Sequence, residues 1–156
     1  MVTAYDVAAG VVDPEIRVVT IADLGVLREV DVDGGHVTVT ITPTYSGCPA
    51  MDVIRTDIRR ALDGAGYADV EVKTVLRPAW TTDWITAAGR DKLAAAGIAP
   101  PTPAATGGPI ALRLSVRCPR CGSPDTRELS HFGSTACKSL WRCNACTEPF
   151  DHLKAL

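Results

Sequence analysis

Two Cys-x-x-Cys pairs constrain the last third of this 156-residue chain: Cys118-Pro119-Arg120-Cys121 and Cys143-Asn144-Ala145-Cys146, with 21 residues between them. A turn of this kind aims two thiolates at one point, and its backbone N–H groups relieve the sulfur charge. Two such turns facing each other across a hairpin make a tetrahedral S4 site for Zn2+. A rubredoxin-like iron centre uses the same ligands, so spacing leaves zinc and iron open, with disulfides as a third reading. Gly122 follows the first pair where a positive φ is useful. Ile110, Leu112, Leu114 and Val116 alternate as a strand leading into it. A segment of ~45 residues has little core, so a bound metal would supply much of its folding energy.

Charge divides the chain. Residues 1–109 hold 9 Lys/Arg against 14 Asp/Glu, and residues 110–156 hold 7 against 4. Between these halves, residues 99–109 contain four prolines and two glycines without periodicity. That composition predicts a linker joining a first module, residues 1–98, to a second, residues 110–156. The overall charge of −2 argues against a dedicated binder of nucleic acid or anionic membrane. In the second module Arg117, Arg120, Arg127, Lys138 and Arg142 are scattered among acids rather than gathered. No apolar run is long enough for a bilayer span, and Met1 is followed by no basic and apolar leader, so the expected location is cytoplasmic. In that compartment paired cysteines are metal ligands or reactive thiols more often than disulfides.

The first module alternates strand and helix signals. Residues 3–12 carry a short helical stripe with Thr3 as cap, ended by Pro14. Ile16, Val18, Val19 and Ile21 predict an extended segment before a turn at Asp23-Leu24-Gly25. Residues 26–32 and 36–42 alternate around Asp33-Gly34-Gly35, a tight hairpin, and Pro43 stops the ladder. From Cys48 the period becomes helical, with Met51, Ile54, Ile58, Ala61, Leu62 and Ala65 on one stripe. Val70, Val72 and Val75 predict a third strand. A last helix is expected from Thr81 or Thr82 to Ala96, stopped by Gly97. No internal repeat stands out.

Cys48 is the one cysteine of the first module, and Pro49 after it suits a first helical position. Cys48 is therefore the expected N-cap, where backbone N–H groups and the helix dipole would favour the thiolate. The alternative is a small buried residue at a strand–helix junction. Asp13 and Glu15 bracket Pro14; they either cap nearby backbone or stand beside Cys48 as acid/base groups or hard metal ligands. Cys137, next to Lys138, is the odd cysteine of the second module, either a buried ribbon residue or a second reactive thiol or cluster ligand. Trp80 and Trp84 read as packing residues. There is no Gly-x-Ser-x-Gly, P-loop or dinucleotide fingerprint.

Asp13-Pro14-Glu15, Asp23-Leu24-Gly25, the hairpin, Gly47-Cys48-Pro49 and Pro78-Ala79-Trp80-Thr81 resemble, in that order, the metal–sulfur cluster biosynthesis domain of SufT-like proteins, over residues 1–97. Ala79 stands where that family often has a second proline. The stretch Phe132-Gly133-Ser134-Thr135-Ala136-Cys137-Lys138, with Cys143, Cys146 and Glu148-Pro149-Phe150, resembles the zinc ribbon of PaaD-like proteins of bacterial phenylacetate degradation. The resemblance implies an α+β fold, a small mixed sheet with helices, followed by the β-rich ribbon. It implies a non-enzymatic factor for Fe–S cluster assembly or maturation, with the phenylacetyl-CoA epoxygenase components as partners, above all their Fe–S reductase, and with the Fe–S assembly machinery. An accessory subunit that handles no iron is the alternative. The family's cysteine falls on Cys48 and its acidic motif on Asp13 and Glu15. A cluster takes up to four thiolates, so Cys48 would need a second copy in a homodimer, Cys137, or ligands from the client to hold one transiently. Zn2+ would be structural, on Cys118, Cys121, Cys143 and Cys146.

Overall fold

A computed structural model describes residues 2–102 and 116–154. The expected strand at residues 110–116 and most of the predicted linker lie outside the described residues. The chain divides into two compact units, Met1–Gly89 and Arg90–Leu156.

In the first unit α1 spans Ala4–Ala9. Thr3 and Asp6 form a reciprocal capping box, with Thr3 Oγ1 accepting from the Asp6 N–H and the Asp6 carboxylate accepting from the Thr3 N–H. β1 (Leu27–Asp33) and β2 (His36–Ile41) form the expected antiparallel hairpin, with Gly34 and Gly35 both at positive φ. β3 (Asp69–Thr74) pairs parallel to β2, so the sheet is mixed, in the order β1-β2-β3. The β2–β3 crossover is α2 (Ala50–Gly64), whose Met51, Ile54, Ile58 and Leu62 are buried, as are Val37, Val39 and Ile41 of β2. At the end of α2 the Tyr67 N–H reaches the Leu62 carbonyl and the Gly66 N–H that of Asp63, a Schellman closure.

Residues 16–21 are not extended. Asp13 Oδ1 accepts the N–H groups of Glu15 (2.9 Å) and Ile16 (2.7 Å), which bends the chain at Pro14. Val12 and Thr20 then bridge, and Thr20 and Asp23 cap each other. This folded loop buries Ile16, Val19 and Ile21 together, which a strand with two faces could not do. Gly25, at φ +70°, lies so close to Trp84 that a Cβ there would come within 2.6 Å of it. The expected final helix is also broken: a 3-10 turn at Thr82–Trp84 is followed by extended Ile85, and α3 runs Ala87–Ala95. The interruption lets the Thr86 N–H reach the Asp23 carbonyl (2.9 Å), while Thr86 Oγ1 accepts from the Gly89 N–H.

The second unit is a four-stranded sheet in the order β4-β7-β6-β5: β4 Ile98–Ala99, β5 Thr126–Ser130, β6 Lys138–Cys143 and β7 Pro149–Leu153. Residues 98 and 99 pair with β7, so the ribbon sheet takes up the chain where the linker was expected to start. Ala99, Cys118, Trp141, Cys143 and Phe150 form its small apolar cluster.

Candidate functional site

The four ribbon cysteines converge. Their Sγ atoms all lie within 4.8 Å of one another, with Cys118 to Cys146 at 3.7 Å and Cys121 to Cys143 at 3.6 Å. None is in a disulfide. Tetrahedral coordination with metal–sulfur bonds of about 2.3 Å has edges of about 3.8 Å, so these four residues fit a Zn2+ ion and equally a tetrahedral iron.

The two turns are built alike. The Cys118 N–H donates to the Ser123 carbonyl and the Cys143 N–H to the Glu148 carbonyl, both at 3.0 Å. The Ser123 N–H bonds to Cys121 and the Glu148 N–H to Cys146. Arg117 donates to the Gly122 carbonyl (3.1 Å) and Arg142 to the Thr147 carbonyl (3.2 Å). Gly122 and Thr147 both have left-handed φ, +74° and 64°. Arg117–Ser123 and Arg142–Glu148 are thus a seven-residue repeat. Its signal in the sequence was the arginine before each first cysteine. Within the cluster the Cys146 N–H, first among several donors, pulls Cys143 down to about 7. Burial and the neighbouring thiols outweigh the Glu148 N–H and push Cys146 up to about 12.

Cys137 is buried, with Sγ 3.0 Å from Thr135 Oγ1. Lys138 is buried too and faces Asp151 at 3.7 Å. The same loop presents Phe132, 67% exposed, with His131 edge-on to its ring and the Lys154 ammonium 4.7 Å from its centroid.

In the first unit the N-cap of α2 is Pro49, and Cys48 stands one residue before it. Pro49 has helical φ and ψ and, as a proline, no side-chain acceptor, so α2 begins without a side-chain cap. The Cys48 N–H donates to the Tyr45 carbonyl and its carbonyl accepts from Met51. Ionisation is not favoured as expected. Burial raises the Cys48 pKa above its ordinary value; the Ala50 N–H pulls it back, the charges of Glu15 and Asp13 raise it further, and the Tyr45 hydroxyl lowers it. The fold therefore brings Cys48, Asp13 and Glu15 into one electrostatic neighbourhood across 33 residues of sequence, from 15 to 48. Asp13 is also the cap described above, so for this residue capping and proximity hold together.

Beside this loop lies a cleft of about 200 Å3 lined by Thr42, Pro43, Thr44, Tyr45, Leu76 and Trp80, among others. Thr42 Oγ1 is buried without a hydrogen-bond partner among the described residues, a feature the strand pattern could not reveal. Trp80 is buried, its Nε1–H donating to the Leu24 carbonyl at 2.7 Å, and Trp84 carries the Arg28 guanidinium 3.5 Å from its ring centroid. Among the described residues no helix is long and apolar enough to cross a membrane.

Residues 5–74 match the family described as iron-sulfur cluster assembly protein, and residues 103–154 match the PaaD zinc beta ribbon domain. The chain is 49% identical over 144 residues to a putative 1,2-phenylacetyl-CoA epoxidase subunit of Escherichia coli (strain K12), covering 92% of this chain and 86% of that protein. It is 41% identical over 75 residues to the Fe-S protein maturation auxiliary factor of Porphyromonas gingivalis, covering 47% of this chain and 70% of that one. A domain of unknown function, DUF59, from Bacillus anthracis has a crystal structure that superposes with a TM-score of 0.54 at 28% identity, over 58% of this chain and 87% of that one.

Proposed function

The chain belongs to the PaaD family, an iron–sulfur cluster assembly domain joined to a PaaD zinc ribbon, and from that premise we propose that it is a non-catalytic maturation factor passing an Fe–S cluster or its iron to the phenylacetyl-CoA epoxidase system, with the Fe–S reductase as client. The observation that carries this reading is the separation of two thiol environments. Cys118, Cys121, Cys143 and Cys146 form a complete four-thiolate set, which suits retention of a structural Zn2+. Cys48 stands apart with two carboxylates and offers one thiolate to the cargo, too few to keep it. The remaining ligands come from a second copy or from the client. Cys137, buried itself, would contribute only if it became exposed. The ribbon docks the client, with exposed Phe132 at its tip as contact.

Anaerobic reconstitution tests this. The wild-type chain, loaded with iron and sulfide, should restore reductase activity to the apo-reductase, and Cys48→Ala should not, while keeping its zinc. Equal activation by Cys48→Ala would remove Cys48 from the mechanism. A second reading, an accessory subunit that handles no iron, is favoured by the name of the Escherichia coli relative, which makes that protein a component of the epoxidase itself. Stoichiometric co-purification with epoxidase, with reductase cluster content unchanged by Cys48→Ser, would establish it instead.

A further inference from the structure

We infer that Arg117 and Arg142 form an outer shell to the four-cysteine centre, each acting through one peptide group on one sulfur. The inference rests on those cysteines holding a metal. Arg117 donates to the Gly122 carbonyl, and that carbonyl shares its peptide unit with the Ser123 N–H, which donates to Cys121. Arg142 donates to the Thr147 carbonyl, which shares its peptide unit with the Glu148 N–H, the donor to Cys146. The path guanidinium, C=O, N–H, sulfur is the same in both turns. It is assembled from two stretches of sequence that share little but the arginine and the cysteines. Neither guanidinium makes an ion pair among the described residues, so the carbonyl is the partner that fixes each one.

A cationic donor on a carbonyl polarises the whole peptide group and strengthens the bond its N–H makes, by roughly 10–30% for each link in condensed phase. A stronger N–H···S bond withdraws charge from the thiolate and holds it in ligating orientation. Each arginine also ties down a residue with left-handed φ, so the turn is held in the shape that points the N–H at sulfur. A metal with four thiolates carries net negative charge, and the two guanidiniums add positive charge at the two turns that surround it. These are positioning residues: they touch the peptide, not the metal.

The test uses the full chain, purified without oxygen and loaded with Zn2+ or, as a spectroscopic probe, Co2+. Arg117→Gln and Arg142→Gln should each weaken Zn2+ binding about tenfold in competition with a chelator, the lower end of outer-shell effects. Their thiolate-to-Co2+ charge-transfer bands should move to lower energy, a shift that a general loss of stability would not produce. Arg117→Lys and Arg142→Lys keep a charged donor and should stay within about threefold of wild type, on the same scale. Arg120→Gln, inside the first turn but with no carbonyl bond of this kind, should leave both readouts unchanged. Unshifted bands and unaltered affinity in both Gln variants overturn the inference. An equal shift in Arg120→Gln also overturns it, showing charge alone to be responsible. If the wild-type chain binds neither ion, the metal reading itself falls and takes this one with it; binding by wild type without any Gln effect refutes only the relay.

Discussion

Equivalent positions in the two cysteine turns carry different residues, which allows one backbone conformation to be tested in opposite directions. Gly122 has φ +74° and a Cβ added there would meet nothing within 4 Å, so Gly122→Ala meets no steric contact and its cost lies in the backbone. Left-handed φ costs a residue with a Cβ about 1–2 kcal/mol. The unfolded chain loses freedom on the same substitution, which returns about 0.4–1 kcal/mol. Net destabilisation of about 1 kcal/mol follows. Thr147 has φ 64° with a β-branched side chain, so Thr147→Gly reverses both contributions and should stabilise by about the same amount. In a unit this small, 1 kcal/mol moves a melting midpoint by roughly 4–8 °C. Heating the zinc-loaded chain with a colorimetric chelator reports the ribbon alone, because only its opening releases the metal. The midpoint should fall for Gly122→Ala and rise for Thr147→Gly. Shifts of the same sign in both variants would refute the argument that backbone conformation governs the two positions alike.

Three further outcomes can be measured directly. Glu15→Gln removes a charge that holds the Cys48 pKa up, so alkylation of Cys48 by iodoacetamide at neutral pH, followed by mass spectrometry of the zinc-loaded chain, should become faster; an unchanged rate would show that Glu15 does not act on the thiol. Thr42→Val replaces a buried hydroxyl that has no partner among the described residues with a methyl of similar size, and chemical denaturation should show a gain of about 1 kcal/mol; a loss would mean that the hydroxyl is satisfied in solution. Excess EDTA should open the ribbon, whose apolar cluster has five buried members among the described residues, so that trypsin cuts at Arg127 and Arg142 while Arg55 within α2 stays protected; continued protection of the ribbon sites would show that it folds without metal.

The elements legible in the sequence were those governed by local periodicity. The hairpin around Gly34-Gly35, the α2 stripe and the two cysteine turns follow from alternation, helical spacing and ligand spacing. Where side chains compete with backbone for hydrogen bonds, the pattern misled. Asp13, Thr20 and Asp23 convert an apolar run that reads as a strand into a folded loop. Thr86 and the close approach of Gly89 to Asp23 break a helix whose composition reads as continuous. Neither partner of such a contact is marked by its own neighbours. The proximity of Asp13 and Glu15 to Cys48 is likewise tertiary: the residues offered it only as an alternative to capping, and the resemblance put the family's acidic motif and cysteine on those positions. The cap of α2 missed by one residue because proline at N1 and proline at the cap have nearly the same φ.

On the proposed function, the contrast between the two thiol environments becomes a division of labour. In the ribbon four sulfurs converge within 4.8 Å of one another, and backbone N–H groups, that of Cys146 first, draw Cys143 down to about 7. At Cys48 a single thiol stands, and burial, with the charges of Glu15 and Asp13, keeps it protonated. A metal cation arriving at Cys48 would be drawn by those same carboxylates and would itself lower the thiol pKa, so ligation and deprotonation would occur together. On departure of the metal the proton returns, and the site does not hold a bare thiolate open to oxidation. The raised pKa therefore suits Cys48 to transient ligation. The acids beside it are what make its hold reversible.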